Sequence, residues 1–222
     1  MRPMTEDLFA YLIATTTGLL LITAVMQVWR QSLTASIRLL AVQGAALAGL
    51  VATLGVEEGA LEVIAVAVLV LGIKAVAMPW ALTRTAQVTG AVREESPLIN
   101  PTAGLLIAAV LSVLAYVVAA PITAAVSGPA AAAVPIGLAL MLTGFLVMLT
   151  RRSALSQLIG FVMLDNGIAT VAFLTSGGVP LVVELGVTLD VLLVVLILRV
   201  LTGRMQLTHG GTDLDDLTEL CD

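Results

Sequence analysis

The stretch "LIGFVMLDNGIATVAFL", residues 158–174, decides how the rest of the chain is read. It is apolar enough to lie in a bilayer, yet Asp165 and Asn166 stand in its middle. A helix needs roughly 20 apolar residues to cross the hydrocarbon core. A charge at the centre of such a helix costs about 2.5–3.5 kcal/mol on insertion scales. An acid kept at that depth is therefore a candidate functional group.

The whole chain agrees with a membrane setting. Of its 222 residues 59% are hydrophobic and 11% are charged, and the mean hydropathy is +1.11. Long apolar runs separated by short polar breaks indicate an all-α polytopic membrane protein. Seven spans are predicted, at about 8–29, 37–55, 61–82, 103–120, 130–150, 154–175 and 179–201. The runs are continuous and lack the ~10-residue alternation of barrel strands. Three prolines and a glycine in "PITAAVSGPAAAAVP" (121–135) are what separates the fourth span from the fifth.

Lysine and arginine positions set the orientation. Arg30 and Arg38 flank the first break, Arg84 and Arg93 lie in the third, Arg151 and Arg152 in the fifth, and Arg199 and Arg204 at the end. The second break holds Glu57 and Glu58 without a base, and the fourth and sixth carry no charge. Basic breaks alternate with non-basic ones, which predicts the N-terminus outside and the C-terminus in the cytoplasm. Arg2 is an exception, and Lys74 lies inside a span. The N-terminal run has Glu6 and Asp7 before it and no small-x-small cleavage site, so it reads as a retained first helix. Five of the fifteen acids fall in the last ten residues. Leu214, Leu217 and Cys221 recur there at helical spacing, and Thr212 with Asp215 fits a capping box. That tail is either solvated or a short helix docking on a cytoplasmic partner.

Several function classes are excluded or disfavoured. One cysteine, Cys221, and one histidine, His209, allow no internal disulfide. Haem and iron–sulfur centres need several Cys or His ligands, so redox chemistry is expected in a partner, with no cofactor or metal held here. No basic footprint for nucleic acid and no phosphate-binding loop is present. No catalytic centre of its own is visible.

Four ionisable side chains fall inside predicted spans and away from their ends: Lys74, Asp165, Glu184 and Asp190. Asp165 and Asp190 lie near the middles of adjacent spans joined by "SGGVP", so both acids should reach similar depth. Glu184 lies closer to the outer end. At ~100° per residue, Glu184 and Asp190 point to faces about 120° apart. Acids at this depth can relay protons, or can merely lock helices by pairing with a base. Lys74 can pair with an acid or reach along its stem to the interface. Gln27, Gln43 and Gln157 read as interhelical hydrogen-bond formers near cytoplasmic ends, and Asn166 as a group that orients Asp165 or bonds a neighbouring helix. Pro79, five residues after Lys74, frees a carbonyl near position 75 and can kink the helix there.

These residues carry a resemblance. "LIGFVMLDNGIATVAFL", "VPLVVELGVTLDVLLVVLIL" (179–198), the tail "DLDDLTELCD" (213–222) and "GIKAVAMPW" (72–80) resemble the component E membrane subunit of hydrogenase-4 and formate hydrogenlyase-like complexes. The likeness covers essentially the whole chain. Its last three spans resemble the small K-type subunit of respiratory complex I and the C subunit of Mrp-type antiporters. This implies a four-helix part (1–126), a K-like three-helix part (127–207) and an acidic cytoplasmic tail (208–222).

By resemblance, Asp165 and Asp190 hold the places of the K-type subunit's two intramembrane glutamates, and Glu184 is an acid shared with component E. Aspartate where glutamate is usual shortens the reach by one methylene. Lys74 would be a charge partner or a lateral relay step. The implied role is a membrane-arm subunit of an energy-converting, hetero-oligomeric complex in a bacterial cytoplasmic membrane, taking part in proton or Na⁺ translocation. The implied partners are antiporter-like membrane subunits and a hydrogenase or quinone-reductase-like core, besides the lipid bilayer. The alternative is a purely structural subunit that packs those partners and docks the cytoplasmic arm. An independent small transporter is disfavoured because no paired half-repeat with broken helices is seen.

Overall fold

The computed structural model describes residues 5–89, 98–125, 129–176 and the single residue 186. Apart from Gly186, the predicted seventh span, with Glu184 and Asp190, and the acidic tail lie outside them. Among the described residues the chain is helical, without a β-strand, and six helices are long and apolar enough to cross a membrane. They are α1 (Glu6–Trp29), α2 (Leu33–Glu58), the composite helix α3 (Leu61–Val70), π turn (Leu71–Ala77) and α4 (Met78–Thr89), then α5 (Pro101–Ala125), α6 (Val134–Thr150) and α7 (Ala154–Ser176). Their ends lie close to the predicted spans, because a bilayer leaves backbone groups only intrahelical partners.

One departure from expectation is at Pro121. A break was expected there, yet α5 runs through it to Ala125. A proline removes one backbone bond, a loss that membrane helices absorb. The Thr123 hydroxyl donates to the Ala120 carbonyl at 2.9 Å in the same turn. The chain re-enters the bundle in a 3-10 turn, Pro129–Ala133, and Pro135 stands at the first turn of α6, where a missing N–H matters least.

Packing between apolar helices in lipid depends on close approach rather than on the hydrophobic effect. The α6–α7 hairpin has the most extensive contact, and its glycines show why. A Cβ on Gly160 would lie 2.5 Å from the Met148 backbone nitrogen, and one on Gly144 or Gly167 would collide with the backbone at Leu164 or Met141. This hairpin packs on α1 through α6 and on α2 through α7, while α5 packs on α6 and α1. The outward stripe of α5, Leu106, Val110, Val113 and Val117, is exposed and apolar, as a surface facing hydrocarbon must be. Buried hydroxyls bond back into their own helices: Thr17 to Ile13, Thr143 to Ala139 and Thr170 to Asn166, at 2.6–2.7 Å.

The α2–α3 turn is made by Gly59, whose φ of 66° is left-handed and whose N–H caps Gly55 and Val56. At the opposite end of the bundle, α1 ends in carbonyls that need donors. Buried Arg151 supplies them: its Nη2 donates to the Gln27, Val28 and Arg30 carbonyls at 3.1, 3.3 and 2.7 Å. Gln27 in turn donates to the Ser36 carbonyl at 2.8 Å, tying α1 to α2. Replacing Arg151 with alanine is expected to destabilise the bundle by about 1–3 kcal/mol, the cost of leaving buried acceptors without donors. Unfolding in mixed detergent micelles measures this. A variant within about 0.5 kcal/mol of the parent would show that the cap is dispensable.

Candidate functional site

Midway along the helices, apolar packing is interrupted by a small polar cluster. Lys74 supplies its base. The helix carrying it widens over Leu71–Ala77, where the Met78 N–H reaches back five residues to the Ile73 carbonyl. Pro79 lies just beyond and has no N–H for the Ala75 carbonyl, so the ordinary four-residue ladder cannot close there. A π turn is one way for a helix to absorb such a break, and such turns concentrate at functional sites. The expected kink is thus a local widening that includes the lysine.

The side chain of Lys74 is 2% exposed and forms an ion pair with Asp165 of α7, which is 14% exposed. Its stem does not carry the charge to the interface. The two residues are 91 positions apart in the chain. Lys74 also donates to the Asn166 side-chain oxygen at 2.9 Å. A lysine ammonium donates only, so Asn166 must turn its oxygen toward it and its amide nitrogen away. That nitrogen donates to Oε1 of Gln43 on α2 at 3.0 Å. Gln43 Nε2 then faces the Leu20 carbonyl at 3.5 Å and the Thr23 hydroxyl at 3.4 Å on α1. A directional chain of donors therefore runs from Lys74 through Asn166 and Gln43 to α1.

Backbone proximity makes this possible. Gly44 of α2 sits against the π turn so closely that a Cβ would lie 2.6 Å from the Lys74 carbonyl carbon. Asn166 and Gln43 are fully buried. Four helices thus meet at one buried charge pair. The pair is held by opposite charge and by the further hydrogen bond from Lys74 to Asn166.

Of the four ionisable groups expected inside spans, the structure brings Lys74 and Asp165 together, while Glu184 and Asp190 lie outside the described residues. Of its two expected roles, Asn166 fills the bond to a neighbouring helix, through Gln43 of α2, and it shares Lys74 with Asp165. Gln27 and Gln43 bond neighbouring helices as expected, but Gln43 sits in the body of α2 rather than near its end. Gln157 bonds the Arg151 carbonyl at 3.0 Å, in the turn before its own helix. Thr23 was not singled out from sequence. Its spacing of four from Gln27, on one face of an apolar run, was the available signal. Among the described residues no three His, Cys, Asp or Glu side chains come together.

The chain is 44% identical over 220 residues to the "Uncharacterized protein Rv0085" of Mycobacterium tuberculosis, spanning 99% of this chain and 100% of that protein. It belongs to the Rv0085 family. Hydrogenase-4 component E of Escherichia coli K12 is a more distant relative, 26% identical over 203 residues, which cover 91% of this chain and 94% of that protein. Hydrogenase-4 component E of Shigella flexneri aligns with the same identity and coverage. No family model and no solved structure matches the chain. The Rv0085-family likeness spans the described helices, the site residues and the tail alike.

Proposed function

We propose that this chain is a membrane subunit of a hetero-oligomeric hydrogenase-type complex, and that the Lys74–Asp165 pair takes part in its coupled translocation of protons or Na⁺. The observation that carries the reading is a buried ion pair at mid-span, in a chain whose distant relative is a hydrogenase-4 component. A pair at that depth is costly unless used or locked. In this reading Asp165 exchanges a proton with Lys74, and Asp190 and Glu184 of the predicted seventh span are the next lateral steps. The complex sits in a bacterial cytoplasmic membrane with its arginine-rich end toward the cytoplasm. The three-helix part, 127–207, plays the K-like role beside antiporter-like subunits. Electron transfer in partner subunits drives the movement, since one charge moved against 100 mV requires about 2.3 kcal/mol.

The test is proton uptake by inverted membrane vesicles, read beside electron-transfer rate and subunit content. Asp165→Asn and Asp190→Asn are expected to reduce uptake per electron while the complex stays assembled. Normal uptake in both assembled variants would overturn the reading. A second reading, a structural subunit, is favoured by how fully Lys74 is hydrogen-bonded. The two readings part at the double variant Lys74→Met/Asp165→Leu. An apolar replacement of a buried pair is often neutral for stability, so a structural role predicts normal uptake and a translocation role predicts its loss.

A further inference from the structure

A second feature lies at the arginine-rich end of the bundle, away from the Lys74–Asp165 pair. Between α1 and α2 opens a groove of about 410 Å³ bordered by Arg30, Ser32, Thr34 and Arg38. Its remaining wall includes Met26, one helical turn deeper than Arg30, and Val42, one turn deeper than Arg38, with Leu39 beside them. A neighbouring cavity of about 440 Å³ shares Arg30 and Ser32 and is flanked by Trp29. Both arginines are exposed. Among the described residues neither guanidinium has a hydrogen-bond or ion-pair partner. The Arg30 backbone is nevertheless fixed, because Arg151 donates to its carbonyl at 2.7 Å.

We propose that this groove binds one anionic phospholipid, with its phosphate between Arg30 and Arg38 and an acyl chain along Met26, Leu39 and Val42. The argument is charge complementarity at a defined depth. Arg30 directly follows a membrane-length helix, Glu6–Trp29, so its guanidinium lies at headgroup level. Exposed Trp29 is the residue type enriched at that level. Guanidinium groups match phosphate oxygens through paired donors, and basic pockets between membrane helices select anionic headgroups. The hydroxyls of Ser32 and Thr34 add further donors, and the apolar wall continues into the hydrocarbon. A zwitterionic lipid would bring its own positive group toward two unpaired cations. A protein partner would have to carry two carboxylates into the interface.

The full chain reconstituted in nanodiscs of equimolar phosphatidylglycerol and phosphatidylcholine, released into mild detergent and weighed by native mass spectrometry, tests this. Retained phosphatidylglycerol is expected to exceed phosphatidylcholine. Arg30→Gln or Arg38→Gln should each cut that preference about fivefold, equivalent to ~1 kcal/mol per arginine. Arg84→Gln is the control, because that arginine stacks on Trp80 at 5.7 Å and borders no part of the groove. It should leave the preference unchanged. Both groove arginines are exposed, so unchanged unfolding in mixed micelles will show that the variants fold. Equal retention of the two lipids by the parent chain, or an unchanged preference in Arg30→Gln/Arg38→Gln, overturns the proposal. So does loss of a partner subunit from the native complex of that double variant with lipid preference intact, which would make the groove a protein contact.

Discussion

Replacing Lys74 with methionine is expected to destabilise the bundle by about 3–5 kcal/mol, the usual cost of leaving one partner of a buried ion pair uncompensated. Asp165 would keep its charge without its base, and Asn166 would point an oxygen at a thioether. The donor chain through Gln43 would lose its origin. Adding Asp165→Leu to Lys74→Met removes the stranded acid, so the double variant should regain most of the stability. The four species of this cycle, unfolded in mixed micelles, give the coupling between the two side chains. A Lys74→Met variant within about 0.5 kcal/mol of the parent would mean that the ion pair contributes nothing to the fold. Because the same double variant separates translocation from packing, stability and proton uptake should be measured on one preparation.

Gly44→Val is expected to cost about 3 kcal/mol or more. A Cβ at position 44 would press on the backbone of the π turn, at 2.6 Å from the Lys74 carbonyl carbon and 2.7 Å from its oxygen. Backbone atoms cannot rotate aside as a side chain can, so α2 must move away from the lysine. Overpacking of this kind costs roughly 1–3 kcal/mol. The displaced Gln43 would also lose its bond to Asn166, worth about 1 kcal/mol more. The effect should therefore reach the site as well as the fold. Gly18→Ala is the matched control, since a Cβ there meets nothing within 4 Å. Similar stability for Gly44→Val and Gly18→Ala would show that α2 is not held close to Lys74 by its glycine.

The sequence read the elements well and the site in part. Span ends at Trp29, Thr150 and Ser176 fall within a residue or two of where hydropathy put them. Pro121 misled because proline was taken as a stop signal, whereas a helix in lipid has no better option than to continue. Pro79 was informative for the opposite reason. Its missing N–H sits beside a lysine, and the backbone answered with a wider turn rather than an end. Lys74 and Asp165 were each marked by the cost of a charge in hydrocarbon. Their pairing was not marked, because nothing in positions 91 apart says which helix faces which.

What the sequence by itself determined is where the chain enters the bilayer and which residues are out of place there. Both are local transfer free energies, legible residue by residue along a run of about 20. Only the tertiary structure decided that Gln43 and Thr23 belong with the charge pair. It likewise decided that Arg151 closes α1 and that the Arg30 side chain is exposed. Those outcomes depend on which faces meet. In lipid that is set by backbones that approach closely at Gly44, Gly144, Gly160 and Gly167, and by polar groups that find partners on distant helices. Hydropathy weighs each residue against lipid alone, so it cannot choose among the ways of packing the same helices.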